Sequence, residues 1–120
     1  MNNELCNTKY YFTFVRTNHC FIIKSMTIAI INAMHKEHEQ LVALLNNVHT
    51  TQDAHFTFVE GTLNDHHLVL MESGIGKVNA AIGAVELIKR FKPEALINTG
   101  VAGGIDTCLN VMDVVAGQRV

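Results

Sequence analysis

Thr27-Ile28-Ala29-Ile30-Ile31, then Asn32-Ala33-Met34, then His35-Lys-Glu-His-Glu-Gln-Leu-Val-Ala-Leu-Leu45: this passage decides the fold. A short β-branched run without polar alternation suits a strand covered on both faces. The connection through Asn32, Ala33 and Met34 is short. Beyond it Leu41, Leu44, Leu45 and Val48 recur at helical spacing with polar residues on the other side. The passage therefore reads as strand, tight turn and amphipathic helix, with the helix carried as far as Val48.

Further along, His55-Phe-Thr-Phe-Val59 and His67-Leu-Val-Leu-Met71 are strand-like and flank the turn signal Asn64-Asp65. A hairpin is the economical reading, with Phe56 and Phe58 on one core-facing side and His66-His67 solvated at its tip. A helix is expected over residues 77–91, where Val78, Ala81, Ile82, Val85, Leu87 and Ile88 form a wide apolar face. Pro93 stops it and leads into a second buried strand, Ala95-Leu-Ile-Asn-Thr99. Gly100-Val-Ala-Gly-Gly104 reads as a tight glycine turn, and Val111-Met-Asp-Val-Val115 as one more strand. Strands alternating with helices predict an α/β fold: a mixed, partly parallel sheet flanked by helices.

Composition agrees with a packed domain. Of the 120 residues 48% are hydrophobic and 17% charged, too apolar for a disordered chain. The net charge of −2 and the scattered Lys and Arg leave no footprint for nucleic acid or an anionic membrane. No apolar run is long enough for a transmembrane helix. Cys6, Cys20 and Cys108 are odd in number and lack metal-like spacing, which favours a reducing cytoplasm over a disulfide framework. Residues 1–25 read as a leader: Tyr10 to Val15 and Phe21 to Ile23 are apolar but interrupted by Arg16 and His19, unlike a signal peptide. Met26 is an alternative start, so the domain is taken as residues 26–120 and the leader is expected to be dispensable.

Ligands of open α/β sheets bind beyond the carboxyl ends of the strands. Ser73-Gly-Ile-Gly-Lys77 lies at such an end, and free amides at a helix start attract anions or polarised oxygens. It is neither a Walker loop, since Val78 follows the lysine, nor a dinucleotide fingerprint, since Asn79 stands where the third glycine belongs. Glu37 falls in the first turn of the first helix, where the dipole favours a carboxylate whether or not it has further work. His35, His38 and Glu39 invite a metal site, but the zincin spacing is absent because the histidines are three apart.

Four segments in register resemble one family. These are Ile28-Ala-Ile-Ile-Asn-Ala-Met34 with Glu37, Ser73-Gly-Ile-Gly-Lys-Val-Asn-Ala-Ala81, Lys92-Pro93, and Ile97-Asn-Thr-Gly100 with Ala102-Gly-Gly104. Together, from about Met26 to Val115, they are similar to the 5'-methylthioadenosine/S-adenosylhomocysteine nucleosidases of the nucleoside phosphorylase superfamily. The resemblance implies a truncated nucleoside-phosphorylase-like fold and a cytoplasmic homodimeric hydrolase of methionine salvage. It implies a small-molecule nucleoside as substrate and no metal or organic cofactor. By position, Glu37 would activate the attacking water, Met34 and Ile75 would contact the ribose and thioalkyl side, and Gly103, with Ala102 beside it, would make a backbone contact to substrate.

Departures accompany the likeness. Val101 stands where the family most often has serine, and His35 and Lys36 replace acidic residues that commonly precede the glutamate. The family's leaving-group aspartate and purine-stacking residues lie in a C-terminal half with no counterpart here, so the chain alone is expected to be inactive. A phosphorylase of the same superfamily is one rival, although Arg16, Arg90 and Arg119 are poorly placed for phosphate. A non-catalytic fragment is the other; the DNA beyond codon 120 would separate them.

Overall fold

The computed structural model describes residues 25–53 and 55–117, so the leader lies outside the described residues. The chain divides into two compact units at Gly100/Val101. All regular secondary structure among the described residues belongs to the first: β1 (Thr27–Asn32), α1 (His35–Val42), β2 (Asn46–Gln52), β3 (Thr57–Leu63), β4 (His66–Glu72), α2 (Lys77–Phe91) and β5 (Ala95–Thr99). The sheet runs β2-β3-β4-β1-β5. β1 is parallel to both β4 and β5, whereas β2–β3 and β3–β4 are antiparallel. The expected mixed, partly parallel α/β sheet is the observed one.

Alternation along the central strands sends side chains into two cores. Ala29, Ile31, Phe58, Val69 and Met71 pack beneath α2 with Leu87, Ala84 and Phe91. Ile30, Val59, Leu68 and Leu70 pack on the other face with Leu41, Val42 and Leu45, from α1 and the turn after it. Phe91 meets Phe58 edge-on at 5.2 Å, and Arg90 stacks 5.1 Å above Phe58 while bonding Asp53 at 2.7 Å. The hairpin turn is made by Asn64 and Asp65, at φ +47° and +65°, the left-handed pair of a type I′ turn.

Several expectations are corrected. The first helix stops at Val42, not Val48; Val48 lies in β2, a strand the hydrophobic pattern did not reveal. Asn47 at φ +52° cannot continue a helix, and β2 is a largely exposed edge strand of polar residues, NNVHTTQ, held by backbone pairing to β3. Of the apolar face assigned to α2 only Leu87 is buried. The sheet takes the stripe containing Gly83 and Leu87, because small residues let the helix approach closely, and Val78, Ile82, Val85 and Ile88 stay exposed. His66 and His67 are half-buried rather than solvated. His66 Nδ1 accepts the Met26 amide, and His67 Nε2 lies 3.3 Å from Glu60.

In the second unit the expected strand at residues 111–115 is absent. The Asp113 amide donates to the Asn110 carbonyl and the Asp113 carboxylate accepts the Asn110 amide, a local turn that uses backbone groups a ladder would need. Residues 100–104, expected as a tight turn, are exposed coil.

Candidate active site

Three parallel strands end level with one another. Asn32 of β1 is in register with Glu72 of β4 and with Thr99 of β5. The chain leaving β1 forms α1 on one face; the chain leaving β4 forms α2 on the other and returns as β5. Connections diverging around a central strand open a crevice at its carboxyl end, where α/β proteins bind ligands.

Asn32 ties this end together. Its side chain is wholly buried, and Nδ2 donates to Thr99 Oγ1 at 2.7 Å and more weakly to the Thr99 carbonyl. The Ser73 amide and hydroxyl both reach the Asn32 carbonyl, at 2.8 and 3.2 Å, which fixes the start of the Ser73-Gly-Ile-Gly loop. Sequence reasoning placed Asn32 in a turn and missed this role. The available signal was its spacing two residues beyond Ile30, on a face otherwise committed to the core.

Glu37 projects into the same region. Its Oε2 accepts the Met34 amide at 3.2 Å, so the carboxylate caps its own helix. It also reaches the end of β5: a Cβ on Gly100 would fall 3.1 Å from Oε1 and 3.3 Å from Oε2. Gly100 thus gives the carboxylate its seat, a second feature the sequence did not single out. Met34 is the half-buried N-cap residue of α1, and Ile75 is an exposed member of the loop after β4. Met34 and Glu37 follow the carboxyl end of β1, and Ile75 follows that of the adjacent parallel strand β4. Ala102 and Gly103 belong to the second unit, where both are exposed.

His35 bridges two carboxylates, with Nδ1 3.0 Å from Glu72 and Nε2 3.1 Å from Glu39. The bond to Glu72, then the charge of Glu39, raises its pKa above 6.5. Burial lowers that of His38, against a partial opposing pull from Glu72. The two therefore act with opposite sign. His35 adds stability that is full below pH 6.5 and is lost as pH rises through its elevated value. His38 adds stability present above pH 6.5 and lost as pH falls through its depressed value. A ¹H–¹⁵N imidazole titration should place the His35 midpoint above 6.5 and the His38 midpoint below; the reverse order would contradict the geometry. Among the described residues no group of three or more His, Cys, Asp or Glu side chains is arranged to hold a metal ion. No described helix is long and apolar enough to cross a membrane.

The family model of the phosphorylase superfamily matches residues 27–120, and the chain belongs to that superfamily. Within it, the chain is similar to 5'-methylthioadenosine/S-adenosylhomocysteine nucleosidases. It is 50% identical over 95 residues to that of Psychromonas ingrahamii and 48% over 93 residues to that of Chromohalobacter salexigens. These alignments cover 79% and 78% of this chain but only 41% and 40% of the relatives, so the chain spans about two fifths of their length. The nucleosidase of Colwellia psychrerythraea, solved with adenine, superposes with a TM-score of 0.70 at 42% identity, covering 73% of this chain and 36% of that one. That of Neisseria meningitidis, solved with methylthio-immucillin-A, gives 0.68 at 42% identity, covering 72% and 37%.

Proposed function

We propose that this chain supplies the water-activating side of a nucleosidase that hydrolyses the N-glycosidic bond of 5'-methylthioadenosine and S-adenosylhomocysteine. The observation that carries the reading is the Glu37 carboxylate, anchored by the Met34 amide and seated on Gly100 at the end of the parallel strands. In this reaction Glu37 takes a proton from water, and the water oxygen attacks the anomeric carbon. The glycosidic electron pair departs with adenine, whose protonation falls to an acid from the remaining three fifths of the enzyme. The carboxylate also stabilises the positive charge that builds on the ribose in the transition state. Met34 and Ile75 line the ribose and thioalkyl side, and the Gly103 backbone, beside Ala102, contacts the substrate.

The complete enzyme is proposed to act in the cytoplasm, in methionine salvage, as a homodimer without metal or organic cofactor. The exposed apolar residues Val78, Ile82, Val85 and Ile88 on α2 support a further packing partner. Adenine release from methylthioadenosine tests the proposal. The 120-residue chain alone should show background release. Fused to the remaining three fifths of the Psychromonas ingrahamii nucleosidase it should turn over without phosphate. A folded fusion that is inactive, or that requires phosphate and yields a ribose 1-phosphate, would overturn it.

A further inference from the structure

Asn32 is wholly buried, yet its side-chain oxygen Oδ1 has no hydrogen-bond partner among the described residues. An unpaired buried carbonyl oxygen costs stability, so packing alone would be served better by an apolar side chain of similar volume. What the asparagine provides lies at its other end. Nδ2 donates to Thr99 Oγ1 at 2.7 Å and lies 3.4 Å from the Thr99 carbonyl oxygen. A carbonyl accepts and never donates, so the amide nitrogen is the end that faces β5.

That bond joins the two supports of the Glu37 carboxylate. Two residues after Asn32 comes Met34, whose amide holds Glu37 Oε2 at 3.2 Å. The residue after Thr99 is Gly100, where an added Cβ would fall 3.1 and 3.3 Å from the two carboxylate oxygens. β5 ends the sheet order and pairs with β1 alone among the described strands. Asn32 and Thr99 form the last pair of that ladder, where a strand held on one side frays first. A side-chain bond from the inner strand closes the end. The Ser73 loop does not share this dependence, because it is anchored on the Asn32 backbone carbonyl.

We propose that Asn32 and Thr99 are positioning residues for Glu37: their side-chain hydrogen bond sets Gly100 against the carboxylate and so fixes how the base faces its water. This role rests on the reading of Glu37 as the base. Neither Asn32 nor Thr99 moves a proton in the reaction, and each acts through Glu37. A reacting group displaced by about 1 Å loses about 10²-fold in rate, so a modest bond at this place has a large kinetic effect.

The kinetic test uses the fusion that completes the enzyme. Thr99→Val removes the hydroxyl and keeps the branched shape; Asn32→Leu removes the amide together with its unpaired oxygen. Each should lower kcat about 10–100-fold with KM within about 3-fold, and the double variant should lose no more than either alone. Thr99→Ser, which restores the hydroxyl, should recover most of the rate. Asn32→Leu should keep its Tm, which separates positioning from support of the fold. With Glu37 already changed to glutamine, Thr99→Val should cost nothing further. A steep loss in Glu37→Gln beside normal kcat in Thr99→Val and Asn32→Leu, or equal Thr99→Val losses with and without Glu37, would overturn this role alone. Normal kcat in Glu37→Gln would sink the base reading and this role with it. The contact is read separately in the full 120-residue chain. There Glu37→Gln should shift the Gly100 amide resonance, and shift it less once Thr99 is changed to valine. A Gly100 amide that ignores Glu37, or responds equally in both cases, contradicts the placement whatever the activity. Should Asn32→Leu fail to fold, Thr99→Val and the Gly100 resonance decide.

Discussion

Glu37→Gln, made in the fusion that completes the enzyme, is expected to lower kcat about 10²–10⁴-fold, the usual contribution of a positioned general base. Glutamine preserves the shape and can still accept the Met34 amide through its carbonyl oxygen, so the helix start should survive. What disappears is the ability to take a proton from water. The loss therefore falls on the transition state, and kcat and kcat/KM should drop together while KM changes little. If the carboxylate were only a cap, the variant would lose about 0.3–1 kcal/mol of stability and keep its turnover. Glu39→Gln is the control: Glu39 is exposed, and its bond is to His35 Nε2. Equal losses from both substitutions, or a normal kcat in Glu37→Gln, would remove the base from Glu37.

Leu87→Ala is expected to cost about 2–5 kcal/mol of folding stability, the range for truncating a core leucine. Leu87 is fully buried, and it is the α2 side chain driven deepest into the core of Ala29, Ile31, Phe58, Val69 and Met71. The surroundings have little freedom to collapse into the space. Gly83, one turn earlier, already sits against Met71 and Ile31, and Phe91, one turn later, is engaged with Phe58. Against a typical domain stability of about 5–15 kcal/mol this is a large fraction, visible as a lower Tm or denaturation midpoint. Ile88→Ala, at the next position but 51% exposed, should stay within about 0.5 kcal/mol. A loss at Ile88 as large as that at Leu87 would mean that α2 packs on a different face.

The segments with strong local signals were legible in the sequence. The β-branched runs became β1 and β5, Pro93 followed α2 closely, and Asn64-Asp65 formed the hairpin turn, because propensity, turn chemistry and burial all favour one conformation there. The position of Glu37 in the first turn of α1 was legible for the same reason. Elements that depend on pairing were not. β2 has an unremarkable polar sequence and exists because β3 offers it a ladder, while the apolar residues at 111–115 form no strand because a local turn claims their backbone.

Tertiary structure alone decided which stripe of α2 faces the sheet, since Ala-rich and Val/Ile-rich stripes both have helical periodicity and only close approach selects between them. It also turned Asn32 from a turn residue into the buried tie between β1, β5 and the Ser73 loop, and gave Gly100 its use as the seat of the Glu37 carboxylate. Sequence determines which residues can form a strand, a cap or a turn, because those preferences act over a few neighbours. A site assembled from the ends of strands far apart in the chain depends on register and layer order, which are settled only when the whole sheet is paired.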